Sequence, residues 1–252
     1  MSFKNQVVLI TGGSSGIGAA TAEVFSKEGA NIAIVGRNEE NLKKVAKTCD
    51  KLGAKGTLII KADLAKDEEL KTVVKKTIDK FGKLDVLVNN AGILTFGSLL
   101  EENLIDVFDK TINTNLRAAV FISNLAAPFL VKTKGNIVNV SSILGVSCLG
   151  EPRYLSYCIS KAGMDHFTRS AALELASAGV RVNTVSPGPT RTEVLANAGS
   201  DASWDQISKD LNIARITEPE EVGNLIMYLA SAKAKSITGA NYSIDCGTLL
   251  KN

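Results

Sequence analysis

Short runs of β-branched and other apolar residues alternate with longer amphipathic stretches along this chain. The apolar runs predict strands at residues 6–11, 31–35, 56–60, 85–89, 136–141, 180–185 and 241–245. The amphipathic stretches predict helices at residues 16–29, 38–52, 67–81, 101–131, 155–178 and 218–231. The first four strands are almost wholly apolar, which is typical of a parallel sheet that is covered on both faces.

The alternation of strands and helices predicts a doubly wound α/β fold, with a parallel sheet between two layers of helices. No linker, repeat or low-complexity tract interrupts it, so we expect residues 1–252 to form a single domain. Residues 186–216 show no clear role in the sheet. A segment of this length without one is often a functional lid, and we predict that residues 190–215 form a substrate lid.

Composition narrows the class of protein. The chain has 252 residues, is 45% hydrophobic and carries a net charge of +3, which is too weak a charge to predict a nucleic-acid partner. The longest apolar stretch, residues 118–131, is shorter than the about 20 residues that a membrane span needs. The start of the chain lacks a signal-peptide core, and we expect a cytoplasmic protein without a membrane partner.

Four cysteines share no metal-type spacing, which favours reduced thiols and predicts no metal site. They are Cys49, Cys148, Cys158 and Cys246.

A glycine-rich loop, "TGGSSGIG", follows the first predicted strand and places Gly12, Gly16 and Gly18 before a helix. Glycine lets the backbone turn sharply and approach a diphosphate, and the start of the helix offers unpaired N–H groups. The spacing departs from the commoner G-x-G-x-x-G pattern, and by itself it would also suit a plain turn. Between a strand and a helix, it predicts a dinucleotide site.

The end of the second strand indicates which dinucleotide binds. NAD enzymes usually place a carboxylate there for the ribose 2′-hydroxyl, whereas this chain has Gly36 followed by Arg37. A guanidinium can bind a 2′-phosphate through charge-assisted hydrogen bonds. We therefore predict NADP(H) in preference to NAD(H), with a solvated Arg37 at a helix start as the alternative.

Tyr157 and Lys161 stand four residues apart in a predicted helix and should share one face of it. A tyrosine ordinarily keeps its proton up to pH ~10. A nearby ammonium stabilises phenolate, and a pKa closer to neutral makes a better proton donor and acceptor. Tyr154 has no lysine at that spacing, so Tyr157 is the better candidate.

Together these motifs make the chain resemble the short-chain dehydrogenase/reductase family over essentially its whole length. The matching segments are "TGGSSGIG" (11–18), "NNAG" (89–92), "INTNL" around Asn115, "NVSS" ending at Ser142, "YCISK" (157–161), "SPG" with Thr192 after it, and "TGANYSIDCG". The resemblance implies a seven-stranded parallel sheet of Rossmann type and often a homotetramer or homodimer. It also implies hydride transfer between a nicotinamide and a carbonyl or alcohol.

The resemblance implies four catalytic residues. Tyr157 corresponds to the acid/base, Lys161 to the lysine that holds the nicotinamide ribose, Ser142 to the hydroxyl that orients the substrate oxygen, and Asn115 to a residue that holds a water. Ser141 is the alternative to Ser142, since neighbours on a strand face opposite ways. Asn115 could instead be a polar residue that kinks its helix.

The resemblance also implies the cofactor contacts. Besides Tyr157 and Lys161, they are Gly12, Ser14, Ser15, Gly16, Ile17, Gly18, Arg37, Asn38, Asp63, Leu64, Asn89, Ala91, Gly92, Pro187, Gly188, Thr190 and Thr192. Asp63 corresponds to an adenine contact, and Thr190 and Thr192 to contacts with the nicotinamide carboxamide.

Two departures from the family pattern stand out. The segment between Ser142 and Tyr157 is longer than usual, so Cys148, Leu149, Glu151 and Arg153 are predicted to shape specificity. Cys246 replaces a usual glycine, which we interpret as a packing change.

Three functions remain open from the sequence. The first is an NADPH-dependent reductase of a hydrophobic ketone, indicated by apolar residues in the lid segment. The second is a 3-oxoacyl-thioester reductase, for which Arg153, Arg169 and Arg191 would have to form a docking patch. The third is an NADPH-sensing protein without catalysis, against which the full set of four catalytic residues speaks.

Overall fold

Seven parallel strands form one sheet in the computed structural model, which describes residues 2–251. The strands are β1 (Val7–Thr11), β2 (Asn31–Gly36), β3 (Gly56–Lys61), β4 (Val86–Asn89), β5 (Asn136–Val140), β6 (Arg181–Pro187) and β7 (Asn241–Ile244). Their order in the sheet is β3-β2-β1-β4-β5-β6-β7. The predicted seven-stranded α/β fold is confirmed.

Helices cover both faces of the sheet. Those described are α1 (Gly16–Lys27), α2 (Glu39–Leu52), α3 (Asp67–Phe81), α4 (Leu104–Ile112), α5 (Ala118–Thr133), α6 (Leu155–Leu175), α7 (Val194–Asn197), α8 (Trp204–Lys209) and α9 (Pro219–Ala230). The two short helices α7 and α8 lie in the segment for which the sequence predicts no regular element.

β1 is buried on both faces, which explains why its residues are apolar without alternation. Val8 and Ile10 pack in one hydrophobic cluster, together with Phe25 of α1. Val7 and Leu9 pack in a second cluster on the opposite face. The chain leaves β1 in one direction toward β2 and returns on the other side at β4, so a crevice opens at the carboxyl ends of these two strands.

α4 and α5 are joined by one π-helical turn, Asn113–Arg117, so residues 104–133 run as one interrupted helix. The sequence predicts a regular helix here. A π-turn carries an extra residue, which rotates the side chains within it relative to the helix on either side. Asn115 lies in this turn and is fully buried.

The length of this interrupted helix differs from the expectation drawn from residues 118–131 alone. By length and composition Leu104–Thr133, of 30 residues, could cross a membrane. Core helices of soluble proteins pass the same test, and Ile122, Ala126 and Leu130 of this helix pack in the second hydrophobic cluster, against the sheet.

Cys246 has a left-handed backbone conformation, with φ of 53°. Its carbonyl oxygen accepts a hydrogen bond from the Ile213 N–H at 3.0 Å. This bond joins the end of the lid segment to the turn that follows β7. A β-carbon in this conformation crowds the backbone, and glycine avoids that cost. Cysteine in place of the usual glycine therefore strains the backbone at position 246, in addition to changing the packing.

We expect Cys246→Gly to raise the free energy of unfolding by about 1 kcal/mol, because it removes this strain. Urea denaturation monitored by circular dichroism measures the change. Cys246→Ala is the matched control, since it removes the sulfur and retains the β-carbon. Equal stabilisation by both variants would contradict the role assigned to the backbone.

Candidate active site

Asn115 points inward from the π-turn and binds the loop after β4. Its Oδ1 accepts a hydrogen bond from the Ile93 N–H at 2.8 Å, and its Nδ2 donates to the Ile93 carbonyl oxygen at 2.9 Å. Nδ2 also lies 3.1 Å from Ser160 Oγ, on α6. Asn115 thus joins the interrupted helix, the loop after β4 and α6, and the kink does have a structural role.

Ser141 and Ser142 follow β5 and serve different purposes. Ser141 Oγ donates to the carbonyl oxygen of Lys161 at 3.1 Å, which fixes the strand end to α6. Ser142 Oγ accepts from the Leu144 N–H at 3.1 Å and also interacts with the phenol of Tyr157. The structure thus brings Ser142, rather than Ser141, to the tyrosine.

Tyr157 and Lys161 lie on the same side of α6. Lys161 is 3% exposed, and its Nζ donates to the Val140 carbonyl oxygen at 2.9 Å. The same Nζ lies 5.5 Å from the centroid of the Tyr157 ring. The phenol and the ammonium therefore share one pocket, as the four-residue spacing predicts.

The pKa of Tyr157 differs from the sequence expectation. Burial raises it to about 12, and the Ser142 hydroxyl partly opposes this rise. The net shift is opposite to the predicted lowering by Lys161, because burial of the phenol outweighs the groups that favour the phenolate. Burial also lowers the pKa of Lys161, to about 8.

The glycine loop forms a narrow cradle at the start of α1. Gly16 has φ of 52°, and a β-carbon added at Gly18 would collide with the Gly12 carbonyl oxygen. Ser15 precedes α1 and its side chain does not cap the helix. The first N–H groups of α1 thus remain available to an anion, so the residues present fit the diphosphate of a dinucleotide.

Asn90 and Thr11 hold this cradle in place. Asn90 Nδ2 donates to the carbonyl oxygens of Thr11 and Gly12, at 3.0 and 3.2 Å. Thr11 Oγ1 accepts from the N–H groups of Asn90 and Ala91, both at 3.0 Å. Neither residue is among the predicted cofactor contacts, although Thr11 lies within "TGGSSGIG" and Asn90 within "NNAG".

Other predicted cofactor residues use their side chains elsewhere. Asn89 Nδ2 donates to Ser123 Oγ at 3.0 Å and to Asn139 Oδ1 at 2.8 Å, inside the protein. The side chain of Leu64 packs in the second hydrophobic cluster, and that of Ile17 packs against the first. These residues can meet a cofactor through their backbone.

The corner after β2 carries the predicted determinant of cofactor choice. Arg37 is exposed, and no ion pair involves it among residues 2–251. Asn38 caps α2, because its Oδ1 accepts from the Asn41 N–H at 3.0 Å. A β-carbon added at Gly36 would lie 3.2 Å from Ser14 Oγ, so the glycine loop touches this corner.

Two open grooves flank the cradle. One of about 420 Å³ lies between the start of α1 and the lid segment, and includes Gly16, Arg191 and Thr192 among its lining residues. The other, of about 220 Å³, is lined by Ser14, Ser15, Asn41, Lys44, Val45 and Glu193. Lys44 adds a positive charge to this groove.

β6 runs beyond the predicted strand of residues 180–185 and ends beside the lid segment. Pro187 ends β6, and the Gly188 N–H donates to the Ile244 carbonyl oxygen at 3.0 Å. Thr190 pairs with Thr217 in a parallel bridge, and a β-carbon at Gly16 would lie 3.0 Å from Thr192 Cγ2. Thr192 thus lies over the glycine loop.

Among the predicted cofactor contacts, Asp63 lies far from the Tyr157–Lys161 site, near the edge of the sheet. It follows β3, and its Oδ1 accepts from the Ala65 N–H at 3.1 Å while its own N–H donates to Glu69 Oε2 at 2.8 Å. In the sheet order, β2 and β1 lie between this turn and β4, and the turn is on the side where Arg37 also lies. The placement suits a contact with the adenosine end of a dinucleotide.

Comparison with known proteins agrees with this geometry. Residues 12–248 match the family described as enoyl-(acyl carrier protein) reductase. The chain is 36% identical to a 3-oxoacyl-[acyl-carrier-protein] reductase of Thermotoga maritima, over 99% of this chain and 100% of that one. It is 35% identical to a meso-2,3-butanediol dehydrogenase of Serratia marcescens, over 98% of this chain and 96% of that one.

A solved structure of a short-chain dehydrogenase from Burkholderia cenocepacia, in complex with NADP, superposes with a TM-score of 0.91. The two sequences are 33% identical, and the match covers 99% of this chain and 100% of that one. The chain therefore belongs to the short-chain dehydrogenase/reductase family and is an oxidoreductase that acts on carbonyl or alcohol groups.

Proposed function

We propose that this protein reduces the carbonyl group of an apolar ketone or aldehyde with NADPH, and that Tyr157 supplies the proton. One observation carries the proposal: the buried Lys161 ammonium lies 5.5 Å from the Tyr157 ring centroid, while the Ser142 hydroxyl interacts with the same phenol. A proton donor, a cation and an orienting hydroxyl therefore meet at one point.

The bound nicotinamide would supply the hydride. Ser142 orients the carbonyl oxygen by donating a hydrogen bond, and Tyr157 gives that oxygen its phenolic proton as negative charge develops there. Because burial raises the pKa of Tyr157 to about 12, the phenol is protonated at neutral pH, which is the form that reduction requires. Lys161 then stabilises the phenolate that remains.

Asn115 and Gly92 lie beside the Lys161 ammonium. A β-carbon added at Gly92 would lie 3.4 Å from Asn115 Oδ1 and 3.6 Å from Lys161 Nζ. Glycine at this place keeps the approach to both polar groups open, which supports the role of Asn115 in holding a water beside Lys161.

The corner after β2 supports NADP(H) as the cofactor. Position 36 offers no carboxylate to repel a 2′-phosphate, and the Arg37 guanidinium is exposed beside it. Lys44 lines the adjoining groove together with Ser14 and would add to the positive field. The Burkholderia cenocepacia relative whose structure contains NADP is in keeping with this choice.

The lid supports an apolar substrate. Val194, Leu195, Trp204 and Ile207 are only partly buried, and Ile213 is 58% exposed. Apolar side chains that the core does not bury are available to an apolar ligand. We propose that residues 190–215 close over such a substrate.

A 3-oxoacyl thioester is the second candidate substrate, favoured by the similarity to the Thermotoga maritima reductase. The predicted docking arginines give it less support. Arg153 pairs with Glu151 at 2.9 Å and Arg191 with Glu218 at 3.0 Å, while an Arg169 nitrogen lies 3.3 Å from His166 Nδ1. Each guanidinium already has a partner within the chain.

We further propose a cytoplasmic homo-oligomer. Ile159 and Leu173 of α6 are exposed, as are Val120 and Val131 of α5, and apolar side chains on neighbouring helices suit a contact between copies.

A substrate panel tests the function. We expect the protein to oxidise NADPH in the presence of phenanthrenequinone or acetophenone, measured as the fall in NADPH absorbance, and to act more slowly on acetoacetyl-coenzyme A. Faster turnover of the thioester would favour the second candidate. Tight NADPH binding without turnover of any of the three would favour an NADPH sensor.

Tyr157→Phe removes the proton donor alone. We expect turnover to fall at least about 100-fold, because general acid catalysis contributes about that factor or more, while NADPH affinity changes little. Steady-state kinetics and fluorescence titration with NADPH measure the two effects. Tyr154→Phe, the same chemical change three residues earlier, is the control and should retain turnover; wild-type activity in Tyr157→Phe would contradict the assigned role.

Arg37→Asp reverses the charge at the corner after β2. We expect NADPH binding to weaken about 10-fold or more, since charge-assisted bonds contribute about 1.5–3 kcal/mol each, and NADH binding to change little. Dissociation constants from fluorescence titration give the comparison. Lys47→Asp, an equal charge change on an exposed position of α2, controls for the overall field, and equal losses for both cofactors in Arg37→Asp would count against NADP(H) preference.

A further inference from the structure

A carboxyl group is buried one helical turn beyond Lys161. Asp165 of α6 is 4% exposed, and within the described residues neither of its carboxyl oxygens has a hydrogen-bond donor. The Ser141 hydroxyl interacts with it, but the hydrogen of that hydroxyl goes to the Lys161 carbonyl oxygen at 3.1 Å. A buried carboxylate without donors is costly, so it calls for a compensating charge.

The turn after Ser142 closes over this carboxyl group. A β-carbon added at Gly145 would lie 2.7 Å from Asp165 Oδ2, and 3.1 and 3.2 Å from the carbonyl carbon and oxygen of Lys161. There is no room for a larger residue at position 145. The turn after β5 therefore has two contacts with α6. It places Ser142 next to Tyr157, and at Gly145 it covers the carboxyl group of Asp165.

Few charged groups act on Lys161 and Asp165, which lie one helical turn apart. Lys161 and Arg169, both of α6, favour the ionised form of Asp165, while burial raises the pKa of its carboxyl group. Asp165 in turn favours the charged form of Lys161, against the burial that lowers the pKa of the amine to about 8. The segments packed against this part of α6 contribute the neutral groups of Ser141, Gly145 and Asn115.

We propose that Asp165 is a positioning residue whose negative charge keeps Lys161 protonated beneath Tyr157 over the working pH range. The proposal rests on the reductase function proposed above and adds a requirement to it. Val140 accepts one hydrogen bond from the Lys161 ammonium but carries no charge, so it cannot offset the loss of hydration. Asp165 supplies the compensating charge from the protein interior.

The protonation of Lys161 determines the direction in which the pH dependence of turnover shifts. Lys161 is charged below its pKa and loses its charge as the pH rises through that value. Removing the carboxylate lowers the pKa of Lys161 further, so the charge is lost at a lower pH. Without that charge, the phenolate left by Tyr157 is not stabilised, and turnover falls.

Asp165→Asn tests the proposal, because it removes the charge and keeps the shape. With saturating NADPH and the panel ketone that the wild type reduces fastest, kcat is measured from pH 6 to pH 9. We expect the alkaline limb to move down by about one pH unit, giving about five-fold lower kcat at pH 8 and little change at pH 6. Glu174→Gln, the same change on an exposed position of α6, should leave the profile unmoved.

Two results would overturn the proposal. An equal loss of kcat at every pH would assign Asp165 a structural role, and a profile that coincides with that of the wild type would assign it none. Circular dichroism checks folding, and Asp165→Ser, which removes the same charge with a smaller side chain, carries the same expectation where the asparagine variant does not fold. A wild-type protein that reduces no carbonyl compound would instead refute the proposed function, so the two failures are distinguishable.

Discussion

The burial of one ammonium group organises the centre of this molecule. Lys161 Nζ donates to the Val140 carbonyl oxygen at 2.9 Å, at the carboxyl end of β5. Moving an ammonium out of water costs several kcal/mol unless other groups replace its hydration. This requirement accounts for the convergence on α6 of the end of β5, the turn that follows it and the loop after β4.

The surrounding hydrogen bonds hold each of these segments at a fixed distance from α6. Ser141 binds the Lys161 carbonyl oxygen, and Asn115 binds both the loop at Ile93 and Ser160. The π-turn is what directs Asn115 into this position, because its extra residue rotates the side chain relative to the regular helix. The π-turn in one helix thus allows the loop after β4 to be fixed to α6.

The two sides of the crevice differ in how firmly they are held. The cradle side is tied to the sheet by Asn90 and Thr11, through bonds between partly buried groups. The lid is held mainly at its ends, by the Thr190–Thr217 bridge and by exposed ion pairs such as Arg215–Glu221, which contribute little each. A firm cradle beside a loosely held segment is in keeping with the lid role proposed for residues 190–215.

The sequence alone determined the strands, most helices and the Tyr157–Lys161 pair, because these depend on periodicities of a few residues. It predicted the glycine cradle for the same reason, since the loop, strand and helix are contiguous. The tertiary structure decided the rest: the inward turn of Asn115, the burial of Asn89, the support by Asn90, and the sealed carboxyl group of Asp165. It also reversed the expected net shift in the pKa of Tyr157, because the burial that raises this pKa is produced by segments that are distant in the chain and meet only in the fold.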